Sequence, residues 1–308
     1  MSSSNVLFDV PGPKALRRHM IFSVVAAVVM LGGLGYVVLV LWNQDQITAS
    51  QWAPMLTAEA WTQYVLPGVR ATVVAAFFSI IIAFVLGLVA AMGRMSELLP
   101  LRWVATLFIE FFRAVPVLIM MIFALTFLTR YTGLEAGSRP LVAVIIGLVL
   151  YNSAVIAEVI RSGVGSLPAG QREGGLSIGL MPAQVRRAIL VPQALTSMLP
   201  TLVSQIVVIL KDTALGYIIL YPELLNAARQ MGSRYGNMTV ALLVGAVLFI
   251  TINWLVTTFA EWLEGRLRRR GRSAGPIGPA HDAIQTDGTP DAADAGGGPI
   301  GAVGSRGT

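Results

Sequence analysis

Residues 161–200 read RSGVGSLPAGQREGGLSIGLMPAQVRRAILVPQALTSMLP, and this largely polar stretch lies between two long apolar runs. Proline is well tolerated in the first turn of a helix, so Pro168 and Pro182 each predict a helix start. Gly179 suits the left-handed backbone that often closes a helix, and Pro192 predicts that the second helix ends or bends there. The stretch therefore predicts two short helices that form a small amphipathic projection.

Apolar runs flank this projection and recur along the chain. A membrane-spanning helix needs about 20 mostly apolar residues. Six runs approach or exceed that length, and they cover roughly residues 20–42, 69–92, 103–128, 141–160, 198–220 and 238–262. The third run is the least regular, because Glu110, Arg113 and Pro116 interrupt it. The pattern predicts an all-α, multi-pass membrane protein with about six transmembrane helices.

The composition supports a membrane location and excludes several kinds of active site. Hydrophobic residues make up 55% of the 308 residues and charged residues 12%, which is about half the charged share of soluble domains. The chain has no cysteine, and its two histidines lie near opposite ends. Neither of its two lysines, Lys14 and Lys211, follows a glycine, which excludes a P-loop. We therefore expect no catalytic, cofactor-binding or metal-binding residues and no enzymatic activity in this chain.

Basic residues are concentrated at alternate ends of the predicted helices. Residues 14–18, 94–102, 161–187 and 266–272, near the ends of the predicted spans, together carry 14 of them, against four in the connections of the opposite side. Because cytoplasmic segments are enriched in Lys and Arg, this asymmetry predicts that both termini and the projection face the cytoplasm of a cell-membrane protein. The anionic inner leaflet of the bilayer then accounts for the net charge of +6, without a nucleic-acid partner.

Several groups of residues resemble the permease subunits of ABC importers for polar amino acids, a binding-protein-dependent family. The projection matches the cytoplasmic EAA loop of that family at Gly170, Gln171, Glu173, Leu176, Gly179, Leu180, Pro192, Gln193 and Ala194. Other matching positions are Phe112-Arg113 with Pro116, Ala157-Glu158 with Arg161, Leu210-Lys211-Asp212-Thr213 and Glu223-Leu224-Leu225. The resemblance covers residues 65–265 and is strongest to actinobacterial glutamate permeases.

This resemblance implies a type I ABC importer transmembrane domain whose loop 161–195 couples it to a separate ATPase subunit. It implies that ATP and Mg²⁺ bind to that partner, and that an extracellular solute-binding protein delivers the substrate, with glutamate as the first choice. A second permease subunit, related rather than identical, would complete the translocation path. The coupling residues that it implies are Gly170, Gln171, Glu173, Gly174, Gly175, Leu176 and Gly179. Among these, Glu173 is the best candidate for a polar contact with the ATPase.

The resemblance also divides the chain into four parts. Residues 1–19 are a cytoplasmic segment, residues 20–64 an additional helix with an external connection, and residues 65–265 the importer domain. Residues 266–308 are predicted to be a disordered cytoplasmic tail, because from residue 271 onward ten glycines and four prolines occur. Gly174 and Gly175 replace the two alanines that give the EAA loop its name, and they predict an intrinsically weak first helix.

Charged residues inside the predicted spans are candidates for lining or gating a path, or for structural pairing. They are Glu110 and Arg113, Glu158 and Arg161, and the run Lys211-Asp212-Thr213. In each of the first two sets the side chains are three residues apart, which predicts an ion pair on one helix face. The run in the fifth span requires water or protein around it. Gln205 and Asn253 predict hydrogen bonds between helices.

The residues also leave a second function open. A secondary transporter driven by an ion gradient would use Glu158, Lys211 or Asp212 as its coupling sites, since buried ionisable residues often mark ion pathways. Such a protein would work without an ATPase partner, and uptake by this chain alone would distinguish it from an importer subunit.

Overall fold

The computed structural model describes residues 12–271, and all regular structure in that range is helical. The α-helices, in chain order, are α1 (Pro13–Asn43), α2 (Ala49–Trp52), α3 (Ala58–Ala60), α4 (Leu66–Arg94), α5 (Leu99–Ala114), α6 (Val117–Tyr131), α7 (Arg139–Gly165), α8 (Ala169–Ser177), α9 (Pro182–Val185), α10 (Val191–Ser197), α11 (Leu199–Asp212), α12 (Leu224–Tyr235) and α13 (Met238–Gly271). Tighter 3₁₀ segments occur at Ala53–Leu56 and Thr213–Ile219, and wider π turns at Trp61–Val65 and Arg186–Leu190. The prediction of an all-α protein is confirmed.

The predicted parts at the two chain ends lie partly outside the described residues. Of the predicted N-terminal segment, residues 1–11 are outside, and α1 begins at residue 13. Of the predicted tail, residues 272–308 are outside, while α13 continues through residue 271, beyond the predicted start of the tail at residue 266.

Within residues 12–271, five helices are long and apolar enough to cross a membrane. They cover Lys14–Asn43, Ala58–Arg94, Arg139–Gly165, Leu199–Ile219 and Met238–Trp262. The pair α5 and α6 forms a sixth crossing if the two are counted together. The prediction of about six transmembrane helices is therefore confirmed.

The third span differs from the prediction of one helix over residues 103–128. The chain bends by 103° between α5 and α6, so that α5 runs across the direction of α6. Val115 has an extended backbone, which is the conformation favoured before a proline, and Pro116 has no N–H to continue the helix of α5. The third predicted span is therefore a bent pair of helices, broken at the proline that interrupts the apolar run.

The core of the bundle is the close packing of α4 on α7. Small buried side chains follow one face of α4 at spacings of three or four residues, at Thr72, Ala76, Ser79, Ala83, Gly87 and Ala90. A Cβ atom on Gly87 would lie 2.8 Å from Ile156 Cγ2 and 2.9 Å from the Ser153 carbonyl oxygen. Small residues let helices approach closely, and van der Waals packing of this kind holds helices together in lipid.

The ends of the bundle opposite the loop 161–195 are covered by the short helices that follow α1. Met55, Ala60 and Val65 pack with Met231 of α12 and Val240 of α13 in a small apolar cluster. The Trp61 indole donates a hydrogen bond to the Met55 carbonyl at 2.9 Å, and the Asn237 amide donates one to the Gln51 carbonyl at 2.8 Å. By contrast, no residue in the most apolar stretch of α1 is buried against the rest of the described chain.

Candidate functional site

The loop 161–195 contains α8 and a second, longer helical run. Pro182 is the first residue of that run, and Gly179 has a left-handed backbone with φ of +87°, as predicted. Pro168 lies one residue before α8 rather than within its first turn. Pro192 does not end the second helix: a π turn at Arg186–Leu190 directly precedes it, and helix continues to residue 197. The wider turn accommodates a proline that lacks the N–H of a regular helix.

The outer surface of α8 is exposed. Gln171, Arg172 and Glu173 are exposed, and the Glu173 carboxylate has no hydrogen bond or ion pair within residues 12–271. Exposed apolar side chains follow, with 75% of Ile178 and 69% of Met181 accessible. A polar row beside exposed apolar side chains is the usual composition of a surface that docks in a groove.

The inner face of α8 explains one of the two neighbouring glycines of the loop 161–195. A Cβ atom on Gly175 would lie 2.9 Å from Val185 Cγ2 and 3.0 Å from Ile189 Cδ1, so the absence of a side chain permits close packing on the second helical run. Nothing lies within 4 Å of the corresponding position on Gly174. The Gln193 amide donates a hydrogen bond to Gln171 Oε1 at 3.0 Å, which also joins the two helical parts of the loop.

One ion pair fastens this loop to the membrane bundle. Arg186, in the π turn, contacts Glu97 at 2.6 Å, and Glu97 lies in the short connection between α4 and α5. Only 14% of the Arg186 side chain is exposed, against 66% of Glu97. Neither residue was a predicted site residue, because 89 positions separate them in the sequence.

A cluster of charged side chains lies where α4, α5 and α7 meet. Glu158 contacts Arg94 at 3.0 Å and Arg113 at 3.8 Å, and it also pairs with Arg161 one turn along α7. Arg94 makes a second contact, at 2.7 Å, with Glu110. The cluster therefore contains three arginines and two glutamates.

The cluster confirms one predicted pair and corrects another. Glu158 and Arg161 pair on α7, as predicted. Glu110 pairs with Arg94 rather than with Arg113, because the end of α4 lies between α5 and α7 and presents its arginine to both. The sequence alone identified Arg94 only as a charge at the end of a span. Its pairing across 64 residues with Glu158 has no local signal.

The candidate residues of the fifth span lie in a separate place. α11 ends at Asp212, and the chain continues as a 3₁₀ segment from Thr213, whose hydroxyl donates to the Leu210 carbonyl at 2.6 Å. Lys211 is exposed, Asp212 is half-buried and Thr213 is buried. No ion pair or hydrogen bond among the described residues joins this group to the Glu158 cluster.

Amides between the helices follow the prediction in one case and not in the other. Gln205 of α11 donates a hydrogen bond to Asn152 Oδ1 of α7, and the Asn152 amide donates to the Leu148 carbonyl. Asn253 does not reach another helix: its amide donates at 2.8 Å to the Phe249 carbonyl of its own helix. The predicted interhelical bond of Asn253 is therefore wrong.

The bend between α5 and α6 holds an apolar cavity of about 420 Å³. Its walls include Phe111, Phe123 and Phe127 from the bent pair, and Ile146 and Leu150 from α7. A polar amino acid loses its hydrogen bonds to water on entering a site without polar groups. This cavity is therefore suited to packing and not to holding such a substrate.

With this geometry established, comparison with known proteins identifies the family. Residues 83–269 match the model of the family "Binding-protein-dependent transport system inner membrane component". The chain belongs to this family. As an inner membrane component, it is a multi-pass protein of the cell membrane and a transport component.

Individual relatives of this inner membrane component agree with the family assignment. The glutamate transport system permease protein GluD of Corynebacterium glutamicum is 42% identical over 226 residues, which cover 73% of this chain and 83% of GluD. The probable glutamine ABC transporter permease protein GlnP of Bacillus subtilis is 32% identical over 204 residues, covering 65% of this chain and 91% of GlnP.

Solved structures show the same fold as this inner membrane component. A crystal structure of an amino acid ABC transporter with histidines matches with a TM-score of 0.59 and 25% identity, over 65% of this chain and 92% of the other. A bacterial transporter that imports the polysaccharide alginate has the same TM-score at 16% identity, over 82% and 95% of the two chains. The chain has the type I importer fold.

Glu223 of this inner membrane component is a buried carboxyl group that caps α12. Its two carboxylate oxygens accept hydrogen bonds from the backbone N–H groups of Leu225, at 2.7 Å, and Asn226, at 2.8 Å. Beside it, the Tyr221 hydroxyl donates to the Ala71 carbonyl and the Leu224 N–H donates to Thr72 Oγ1, which joins α12 to α4. Burial raises the pKa of Glu223 from 4.5 to about 7, and the two backbone donors oppose that shift.

This raised pKa predicts that stability depends on pH. A carboxyl group with a raised pKa in the folded state contributes its stability below the unfolded value of 4.5 and loses it as the pH rises through about 7. We expect the melting temperature of the purified protein to fall between pH 5 and pH 8. In Glu223→Gln, which keeps one cap acceptor, this part of the fall should be absent. An identical pH profile in the variant would contradict the assignment; Glu59→Gln, at an exposed glutamate of α3, is the control.

Proposed function

We propose that this chain is the permease subunit of an ATP-dependent importer for a polar amino acid, with glutamate as the first substrate to test. The observation that carries the proposal is the 42% identity to a glutamate transport system permease protein over 83% of its length. The family of binding-protein-dependent components and the match to a solved amino acid ABC transporter support it. The translocation path would pass through the membrane bundle built on α4 and α7.

We also propose that the loop 161–195 docks on a separate ATPase subunit. The exposed row of Gln171, Arg172 and Glu173 beside the exposed Ile178 and Met181 supports this role. The loop and both termini would lie in the cytoplasm, and the excess of basic residues on the loop side supports this orientation. ATP and Mg²⁺ would bind to the ATPase and not to this chain.

Two further partners complete the proposal. An extracellular solute-binding protein would deliver the amino acid to the side covered by the short helices after α1. A second permease subunit, related rather than identical, would pair with this one to form the path. Of the candidate path residues, Arg113, Glu158 and Arg161 lie at the loop side, and Lys211, Asp212 and Thr213 lie at the end of α11.

The contact between Arg186 and Glu97 is the proposed connection through which the loop moves the bundle. A movement of the docked loop would pull on the α4–α5 connection, and the next charged contacts along that path are those of Arg94 with Glu110 and Glu158. With Glu97 largely exposed, this pair contributes about 1 kcal/mol or less to stability, so its proposed role is to direct the movement and not to stabilise the fold.

Charge reversal tests this connection. We expect Glu97→Arg alone and Arg186→Glu alone to lower the ratio of amino-acid uptake to ATP hydrolysis by roughly tenfold, because each variant places like charges together. The double variant restores the pair and should recover most of the ratio. Arg187→Glu, at the exposed neighbouring arginine, should leave it unchanged. A folded double variant that is as impaired as either single variant would show that the pair does not transmit the movement.

Uptake into proteoliposomes tests the function itself. The purified permease, ATPase and binding protein should accumulate radiolabelled glutamate only when ATP is present, and an ionophore should not reduce the rate. The alternative function, a secondary transporter driven by an ion gradient, predicts the opposite. In that case this chain alone would take up substrate without ATP, and an ionophore would abolish uptake.

A further inference from the structure

α5 is positioned as a helix that lies along one surface of the membrane. It runs at 103° to α6, which packs lengthwise on the membrane-crossing α7. Its 16 residues lie beside the ends of α4 and α7, where Arg94 and Glu158 are found. A helix perpendicular to its crossing neighbour, at the end of the bundle, lies near the boundary between lipid and water.

The side chains of α5 form three distinct faces. Ala105 and Ile109 are buried against the bundle. Four polar residues at spacings of four, four and three form a second face, at Arg102, Thr106, Glu110 and Arg113. The third face is apolar and exposed: the accessible fractions are 71% for Trp103, 67% for Val104, 71% for Leu107 and 56% for Phe111. This is the pattern of an amphipathic helix at a membrane interface, with an exposed tryptophan at the boundary.

A pocket of about 370 Å³ opens where the polar and apolar faces meet. This pocket, called here the α5 pocket, is lined by Arg94, Arg102, Trp103, Thr106 and Arg161. Three guanidinium groups, the Thr106 hydroxyl and the indole of Trp103 line it. The pocket therefore offers donors for an anion beside a surface for an apolar chain.

The charges around the α5 pocket are not balanced by the protein. Glu158 and Glu110 face Arg94, Arg113 and Arg161, and Arg102 has no ion pair within residues 12–271. With three cluster arginines and two carboxylates, adding Arg102 leaves two positive charges in surplus. Partly buried charges at a membrane boundary favour a bound counter-ion, and anionic lipids supply one there.

We propose that the α5 pocket binds the phosphate group of an anionic phospholipid, with the acyl chains lying along Trp103, Val104 and Leu107. The guanidinium of Arg102 and the hydroxyl of Thr106 donate to the phosphate oxygens, while Arg94 and Arg161 add positive charge. Arginine is suited to phosphate because its planar fork donates two parallel hydrogen bonds. A free anion would gain nothing from the exposed apolar face, whereas a lipid uses both surfaces. This site involves neither ATP nor the transported substrate.

Native mass spectrometry of the purified transporter tests the proposal. Dioleoyl phosphatidylglycerol should remain bound where dioleoyl phosphatidylcholine dissociates. Arg102→Gln should weaken phosphatidylglycerol binding about fivefold, the loss expected for one arginine at a charged surface. Arg70→Gln makes the same charge change at an exposed position near the other end of α4 and should have no effect. Thr106→Val, a second change in the α5 pocket, should weaken binding without altering charge.

Four results would overturn the proposal. Equal retention of the two lipids would show that the pocket does not select an anionic head group. Displacement of phosphatidylglycerol by inorganic phosphate at millimolar concentration would indicate a site for free anions. Unchanged binding in both Arg102→Gln and Thr106→Val would place the lipid elsewhere. Absence of lipid from the complete assembly, with phosphatidylglycerol bound only to the separated permease, would show that a second permease chain covers this face. None of these measurements depends on ATP or on transport, so they are independent of the proposed function.

Discussion

Glu173→Lys is expected to separate the permease from its ATPase. The Glu173 carboxylate is exposed on α8 and has no partner within residues 12–271, so its replacement removes no contact that holds the fold together. A reversed charge at a docking surface places like charges together and costs several kcal/mol. We expect the recovery of the ATPase with the tagged permease, and ATP-driven uptake, to fall at least tenfold, with membrane insertion unchanged.

Glu135→Lys is the matched control for this prediction. Glu135 is exposed in the connection between α6 and α7, at the end of the bundle opposite the loop 161–195, and the same charge change there should leave the complex intact. If Glu173→Lys supports normal uptake and normal recovery of the ATPase, Glu173 has no part in docking.

Glu158→Gln is expected to destabilise the bundle most among the charged positions. The carboxylate touches Arg94, Arg113 and Arg161, and only 23% of its side chain is exposed. Removing one partner from a partly buried charge cluster leaves uncompensated charge, at a cost of about 3 kcal/mol. We expect the melting temperature of the purified protein to fall by about 5 °C or more.

Glu110→Gln separates this effect from a general loss of negative charge. Glu110 contacts Arg94 only, and 55% of its side chain is exposed, so the pair is worth about 1 kcal/mol or less. The two variants remove the same charge from the same cluster. Equal melting temperatures for both would mean that Glu158 is not the centre of the cluster. A stable Glu158→Gln protein with altered transport would favour a role in the path instead.

The number and positions of the membrane helices follow from the sequence, because each crossing requires an apolar run of fixed length. The bend at Pro116 was harder to predict. The sequence contains the proline and the charges around it, but the 103° turn depends on α5 packing across the ends of α4 and α7. Hydropathy averaged over residues 103–128 does not distinguish a crossing helix from a surface helix joined to a shorter crossing.

The local features of the loop 161–195 were predictable, and its attachment to the bundle was not. Gly179 and Pro182 act through their own backbone conformations, which the residue type determines. The pairing of Arg186 with Glu97 depends on where two distant segments meet in the folded bundle. The pairing of Arg94 with carboxylates of two other helices, 16 and 64 positions away, likewise depends on the folded bundle and not on a local pattern.

The central claim is that the loop 161–195 lies in the cytoplasm, where an ATPase can bind it. Because the chain has no cysteine, single cysteines can be placed by Arg172→Cys on α8 and Glu135→Cys on the opposite end of the bundle. A membrane-impermeant maleimide applied to intact cells should label the Glu135→Cys protein and should label the Arg172→Cys protein only after permeabilisation. Labelling of the Arg172→Cys protein in intact cells would place the loop outside and contradict the account.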